Sequence, residues 1–257
     1  MSRASDVEAL QNGFKSEFFA DLYEVEAANF WFRARNRLIV WVLQKYFRQC
    51  KTFLEVGCGT GFVLTEVRER CQYLQVSGSE LAAEGLTYAR KRLPDVPLLQ
   101  LDARDLPFRE EYDLIGAFDV LEHIEEDEQV LTELWKATRH GLVLTVPQHR
   151  FLWSAIDELG GHKRRYSAHE LRSKLEKAGF KVLRITSFVS LLLPLLALSR
   201  YKKRESKELD KSEFEIPRTV NRLLEMVLDF ERLFIQAGVN FPAGGSLLAI
   251  AVKQKQS

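Results

Sequence analysis

The chain has 257 residues, of which 46% are apolar and 28% charged, and its formal net charge is +1. These proportions suit one soluble α/β domain with a decorated edge. They supply no global field to draw in DNA or RNA, so no nucleic-acid partner is expected. Cys50, Cys58 and Cys71 are few, odd in number and lack a CxxC spacing. That pattern argues against a disulfide framework and against a zinc site, and suits a reducing cytosol; no metal is expected. The start, Met1-Ser2-Arg3-Ala4-Ser5-Asp6, has no apolar run of the secretory kind. A cytoplasmic location is expected.

Residues 7–50 read as helical, with aromatics at Phe18, Phe19, Tyr23, Phe30, Trp31 and Phe32, and helix-like apolar spacing from Asn36 to Phe47. Thr52 to Val56 then reads as a buried strand, followed by a glycine cluster and a helix over Phe62 to Cys71. The alternation recurs: strand Leu74 to Ser79, helix Ala82 to Arg92, short strand Leu98 to Leu101, strand Tyr112 to Phe118, helix Glu126 to Ala137 and strand Gly141 to Val146. A helix over Ala168 to Ala178 stops at Gly179, with Ser167 as its cap, and Lys181 to Thr186 is a strand. Strands alternating with helices predict βαβ units and a mostly parallel sheet. After residue 187 the pattern breaks. The apolar run Phe188 to Leu198 is about half the length of a membrane-spanning helix, contains Pro194, where a kink is expected, and leads to the basic run Arg200-Tyr201-Lys202-Lys203-Arg204. It reads as a core helix or substrate lid, with contact to a membrane surface through 188–204 as the alternative. A charged linker, Glu205 to Glu215, precedes a helix over 218–237 and a last strand, Ser246 to Val252.

The candidate site begins at Glu55-Val56-Gly57-Cys58-Gly59-Thr60-Gly61, between a strand and a helix. Glycine lets the backbone turn tightly and approach a ligand, and the helix start offers unpaired N–H groups. A dinucleotide fold wants GxGxxG to seat a pyrophosphate; here the third glycine comes one residue early. Glu55 would repel a phosphate but suits a cationic ligand. Glu80 follows the next strand, where a carboxylate can take both ribose hydroxyls; Asp102-Ala103 follows the third, where an adenine amino group can be met; Asp119-Val120-Leu121-Glu122-His123 ends the fourth. Ligands of open α/β sheets bind at these carboxyl ends. Each residue also has a plain structural reading: a tight βα turn, a helix N-terminal acid, a core hydrogen bond.

These residues resemble the class I S-adenosylmethionine-dependent methyltransferases, in the small-molecule branch. The loop 55–61 matches their E/D-x-G-x-G-x-G pattern, Glu80 stands where many relatives have aspartate, and the resemblance covers roughly residues 50–187 with 246–252. It implies a Rossmann-like seven-stranded, mostly parallel sheet with helices on both faces and an antiparallel last strand. It implies S-adenosyl-L-methionine as cofactor, met by Glu55, Gly57, Cys58, Gly59, Gly61, Glu80, Leu81, Asp102, Ala103, Asp119 and Val120. The expected organisation is a helical lid (1–50), a cofactor-binding core (51–187), a helical insertion or substrate cap (188–243) and the final strand (244–257). Gly161-His162-Lys163-Arg164-Arg165-Tyr166 is similar to a G-H-x-R-R-Y segment of relatives associated with envelope-saccharide or lipid-linked substrates.

The donor methyl is already activated, so the protein chiefly orients reactants and excludes water, and a base is needed only for a protonated acceptor such as a hydroxyl. His123, His149 and His162 are the candidate bases. Arg164, Arg165 and Tyr166 are the candidate anion-recognition residues for a small-molecule acceptor, anionic or lipid-linked. Phe30 to Arg37 interleaves aromatics with arginines, either as a lid whose arginine meets the cofactor carboxylate or as a helix packed on the sheet. The rival readings are a non-catalytic methyltransferase-like binding protein and an NAD-dependent oxidoreductase. The early third glycine and Glu55 disfavour the second.

Overall fold

The computed structural model describes residues 18–203 and 216–254. The chain opens with two helices, α1 (Phe18–Val25) and α2 (Phe30–Tyr46). The core follows: β1 (Thr52–Val56), α3 (Phe62–Arg70), β2 (Gln75–Glu80), α4 (Ala83–Arg92), β3 (Leu98–Gln100), β4 (Tyr112–Phe118), α5 (Asp127–Ala137), β5 (Thr138–Pro147), the short α6 (Ala155–Leu159), α7 (Ala168–Lys177) and β6 (Phe180–Phe188). Two more helices, α8 (Leu193–Lys203) and α9 (Arg218–Gln236), precede β7 (Ser246–Lys253).

One seven-stranded sheet runs in the order β3-β2-β1-β4-β5-β7-β6. β1 lies parallel to β2 on one side and to β4 on the other, whereas β7 runs antiparallel to both β5 and β6. This is the Rossmann-like sheet the motifs imply. The central strands are apolar on both faces, as strands covered by helices on both sides must be. Phe53 and Leu114 enter the cluster under α2 and α3, with Leu38, Leu43 and Leu64. Leu54 and Ile115, one residue on, enter the opposite cluster with Leu131, Leu134, Leu171 and Leu175 from α5 and α7. The chain leaves β1 toward β2 in one direction and returns to β4 on the other side. That reversal opens a crevice at the carboxyl ends of β1 and β4, between the two connections.

The differences from the sequence reading have physical causes. Of the helical region expected over 7–50, residues 7–17 lie outside the described residues; from Phe18 on it forms two helices, the chain turning after Val25, and Asn29 caps α2 by accepting from the Trp31 N–H at 2.9 Å. β5 starts before the expected Gly141 because Thr138 pairs with Tyr112 of β4, and it reaches Pro147, as β6 reaches Phe188, because β7 continues the ladder there. Pro194 does not kink a helix. It is the second residue of α8, where a missing N–H breaks no helical hydrogen bond. The linker Glu205 to Glu215 lies outside the described residues. Among the described residues no helix is long and apolar enough to cross a membrane.

Candidate functional site

The glycine loop after β1 turns through left-handed backbone at Gly57 (φ 71°) and Gly59 (φ 53°), which residues with a Cβ rarely adopt. A Cβ on Gly57 would lie 2.5 Å from a Val120 methyl, so glycine is required there on space as well. Glu80 ties the loop to β2. Its Oε2 accepts from the Gly59 N–H and its Oε1 from the Ala82 N–H, both at 3.0 Å. Both oxygens retain lone pairs for a diol. Cys58 is buried, with its N–H bound to the Ser79 carbonyl at 2.9 Å. Leu81 borders the same edge, its carbonyl accepting from Gln100 at 3.0 Å. Ala103 is buried beside the next strand end. Asp102 is engaged by Arg104, through the N–H at 2.9 Å and the guanidinium at 2.7 Å. Burial works against its charge, but those bonds hold the carboxyl below its ordinary range.

The N-terminal helices close over this loop. Phe19 of α1 sits 3.8 Å from where a Gly59 Cβ would be and is buried. Glu26 is buried and accepts from the Thr60 hydroxyl and the Arg92 guanidinium. Arg92 also donates to the Tyr23 carbonyl at 3.2 Å, with its guanidinium 4.2 Å over the Tyr23 ring. From α2, Arg35 reaches Asp119 at 2.5 Å and lies 4.7 Å over the Trp31 ring. Asp119 itself has φ 57° at the end of β4, with Val120 next to it against Gly57. The Phe30 to Arg37 segment therefore splits: Arg35 faces the crevice, whereas Arg33 and Arg37 pair with Glu225 and Asp229 of α9.

Three carboxylates thus surround one loop, and burial pushes all three up. Glu55 is driven furthest from its ordinary range. Desolvation is the main cause, Arg35 opposes it, and Glu26 and Glu80 add to it. Its Oε2 is buried without a hydrogen-bond partner. Desolvation also raises Glu26, against Thr60 and Arg92, and Glu80, against its N–H donors. Such a cluster gains from a cation. Sequence reasoning found Glu55 and Glu80 but missed Glu26, Thr60 and Arg92 as a unit. Nothing in the spacing of residues 26, 60 and 92 marks them as neighbours.

The carboxyl end of β5 carries the second half of the site. His149 has φ 61° and ψ 113°, a sparsely populated conformation for a residue with a Cβ. Its ring stacks on Phe151 with centroids 5.0 Å apart, and its Nε2 is buried without a partner. Burial, then Arg165, lowers its pKa, so the neutral ring is favoured. Asp157 of α6, fully buried, organises the rest. It meets His162 Nδ1 at 2.8 Å and accepts from Arg165 at 2.7 and 2.9 Å, and it caps its own helix through the Ser154 N–H at 2.8 Å. Burial opposes its charge, but His162 and Arg165 hold it well below the carboxylate range. His123 stacks edge-on against His162 at 4.6 Å, and burial, then His162, lowers it to about 3. Glu122, His123 and His162 each offer a ligand-type atom within 4.8 Å of the others.

Tyr166 is fully buried and donates to Asp127 at 2.7 Å, a bond that leaves its hydroxyl no route to an acceptor. Burial, then Asp127, raises its pKa. Arg164 pairs with Glu125 and Asp127 at 2.8 and 3.0 Å. The three residues read together as an anion site therefore separate. Arg165 lies beside the histidines, while Arg164 and Tyr166 brace α5. Ser167 caps α7 by accepting from the Glu170 N–H at 3.1 Å.

Residues 54–145 match a family model described as a methyltransferase domain. The dTDP-4-amino-2,3,4,6-tetradeoxy-D-glucose N,N-dimethyltransferase of Saccharopolyspora spinosa is 32% identical over 117 residues, 45% of this chain and 46% of that one. A Mycolicibacterium smegmatis protein described as a probable S-adenosylmethionine-dependent methyltransferase is 30% identical over 164 residues, 60% of each. The chain thus spans 46% and 60% of these curated relatives. The fold is shared with phosphoethanolamine N-methyltransferase 2 of Haemonchus contortus, solved with S-adenosyl-L-methionine: TM-score 0.57, 18% identity, 86% of this chain and 52% of that one. It is shared equally with the cyclase SpnF: TM-score 0.58, 18% identity, 88% of this chain and 84% of that one. Sheet order and glycine loop agree with the match of residues 54–145 to a methyltransferase domain, and the chain is similar there to S-adenosylmethionine-dependent methyltransferases.

Proposed function

We propose that the protein binds S-adenosyl-L-methionine in the β1–β4 crevice and transfers its methyl group to a small-molecule acceptor bound at the end of β5. The observation that carries this reading is the unpartnered, buried Glu55 carboxylate flanked by Glu26 and Glu80. A dinucleotide would bring phosphates to these acids, whereas S-adenosylmethionine brings a sulfonium and an ammonium. The donor set fits it: Gly57 and Gly59 leave the room, Glu80 faces the ribose, Asp102 and Ala103 border the adenine, and Cys58, Gly61, Leu81, Asp119 and Val120 line the walls. When bound, the cofactor supplies an electrophilic methyl on a good leaving group.

The chain's own part is orientation, exclusion of water and proton handling. The two N-terminal helices, α1 and α2, act as the lid through Phe19, Tyr23 and Arg35. His149 is the base: its neutral ring has an unpartnered Nε2 near Arg165, so it can take a proton from a hydroxyl while the arginine holds an adjacent anionic group. His162 and His123 are positioning residues, fixed by Asp157. The acceptor carries an apolar part, because α8 packs beside residues 150–152 and brings Leu195 and Leu198, with Phe151, to the same mouth, all more than half exposed. An apolar cap next to an arginine suits a lipid-linked or anionic saccharide. The S. spinosa relative is named for an amino-sugar nucleotide and a Candida albicans one for ubiquinone biosynthesis; both are small molecules.

The test is single-turnover transfer of labelled methyl to a panel of nucleotide sugars, polyprenyl-linked saccharides and quinols. Transfer to one class, lost in His149→Ala with the cofactor still bound, supports the reading. Cofactor binding with no transfer to any class would favour a non-catalytic binding protein.

A further inference from the structure

The helix α9 carries two apolar faces. One, with Leu224, Leu228 and Ile235, packs on the core, and polar residues beside it also face the protein. Glu225 pairs with Arg33 and Arg37 at 2.5 and 2.8 Å. Asn221 accepts from the Phe30 N–H at 2.9 Å and donates to the Ala28 carbonyl at 2.8 Å. Glu231, buried, accepts from the Ser190 and Leu191 N–H groups, both at 2.7 Å. The opposite face carries Val220, Leu223, Met226, Phe230, Leu233 and Phe234, each between 40% and 62% exposed. A helix on the surface of a water-soluble domain shows the opposite arrangement, with charges outward. A contiguous apolar face of this size marks an interaction surface.

The charges on the helix indicate the occupant. Glu225, Asp229 and Glu231 are all engaged on the inner side. The charged side chains of α9 that are exposed are Arg218 and Arg222. A second copy meeting this face with its own α9 would offer those arginines no free acid from that helix, since Glu225, Asp229 and Glu231 are engaged. Anionic headgroups offer them acid along the whole rim, and acyl chains accept the leucines and phenylalanines.

We infer that α9 is an interfacial helix that docks the protein on a membrane surface containing anionic lipid, with Leu223, Met226 and Phe230 at the centre of the inserted face. The inference needs neither the cofactor nor the acceptor, so it stands or fails separately from the methyl-transfer reading.

Full-length protein is sedimented with vesicles of phosphatidylcholine alone and of phosphatidylcholine with phosphatidylglycerol. The expected result is binding to the anionic vesicles and weaker binding to the neutral ones. Leu223→Asp with Phe230→Asp should lower the partition coefficient at least tenfold, and Arg218→Glu with Arg222→Glu should lower it by more than about fivefold on anionic vesicles only. These side chains are largely in solvent, so the variants keep the core, and thermal melting verifies that. Independently of those variants, tryptophan in Phe230→Trp should be quenched by brominated acyl chains. Three results would each overturn the inference: wild-type protein left in the supernatant with both vesicles, an aspartate variant that sediments like wild type, or a solution dimer dispersed by the aspartate pair without lipid binding.

Discussion

The two halves of the crevice are built on opposite plans. On the β1–β4 side, each functional residue ends its own strand or sits in the loop that follows it: Glu55 and the glycines after β1, Glu80 at the end of β2, Asp102 after β3, Asp119 after β4. On the β5 side, one buried acid, Asp157, gathers His162 and Arg165 from a loop and sets them near His149 and His123. The first plan leaves Glu55 buried and unpartnered, ready for a ligand. The second pairs Asp157 with His162 and Arg165, and His149 Nε2 is buried there without a hydrogen-bond partner. The difference teaches that the first half leaves a buried carboxyl unmet beside the glycine loop, while the second uses a met ion pair, Asp157 with Arg165, to fix the loop beside His149.

Substitutions should separate the two plans, and the largest effect falls on the loop. Gly59→Val places a β-branched residue at φ 53° and fills the cradle. Cofactor binding should fall below detection by calorimetry, while the circular dichroism spectrum stays folded. Next is Asp157→Ala, which strips the partner from the buried Arg165 and from His162. A loss of about 3–5 kcal/mol is expected, read in a urea titration. The depressed carboxyl fixes the sign of the pH dependence. Its contribution is fully present above the unfolded carboxylate pKa and is lost as pH falls toward the lower folded value. Wild type and Asp157→Asn should therefore differ at pH 7 and converge in acid.

Smaller effects distinguish chemistry from binding. His149→Ala should lower turnover about 10²-fold and change cofactor affinity less than twofold; equal losses in both would make His149 a structural residue. Glu55→Gln carries the opposite signature. A carboxyl raised by burial is stabilising when protonated and costs stability as pH rises through its unfolded pKa. The unliganded variant should melt a few degrees higher than wild type at pH 7, yet bind cofactor about tenfold more weakly, a difference of roughly 1.4 kcal/mol. A variant that gains stability without losing affinity would mean that Glu55 meets no cation.

The same contrast explains what could be read from the chain. Residues of the first plan are local: strand, turn and acid lie within a few positions, and periodicity with glycine spacing places them. β1 and β4 begin and end where the pattern puts them, at Thr52–Val56 and Tyr112–Phe118. Contacts between distant elements depend on long-range closure in either plan. Glu26 meets Arg92 across 66 positions, and Arg35 meets Asp119 across 84; no local rule joins them. Arg164-Arg165-Tyr166 looks like one motif in sequence, but neighbouring side chains in extended backbone point apart: Arg164 and Tyr166 share Asp127, while Arg165 meets Asp157. Helical periodicity finds α9 but not which face meets the protein. The partners Arg33 and Arg37 on α2 decide that, and they pull its charged side inward.

The most direct test of the central claim is isothermal calorimetry of the purified full-length chain with S-adenosyl-L-methionine, S-adenosylhomocysteine and NAD in parallel. The account predicts one S-adenosyl-L-methionine per chain, bound more tightly than NAD, and a marked loss of that affinity in Glu55→Gln. Binding of NAD in preference, or no heat with either S-adenosyl compound, would contradict it.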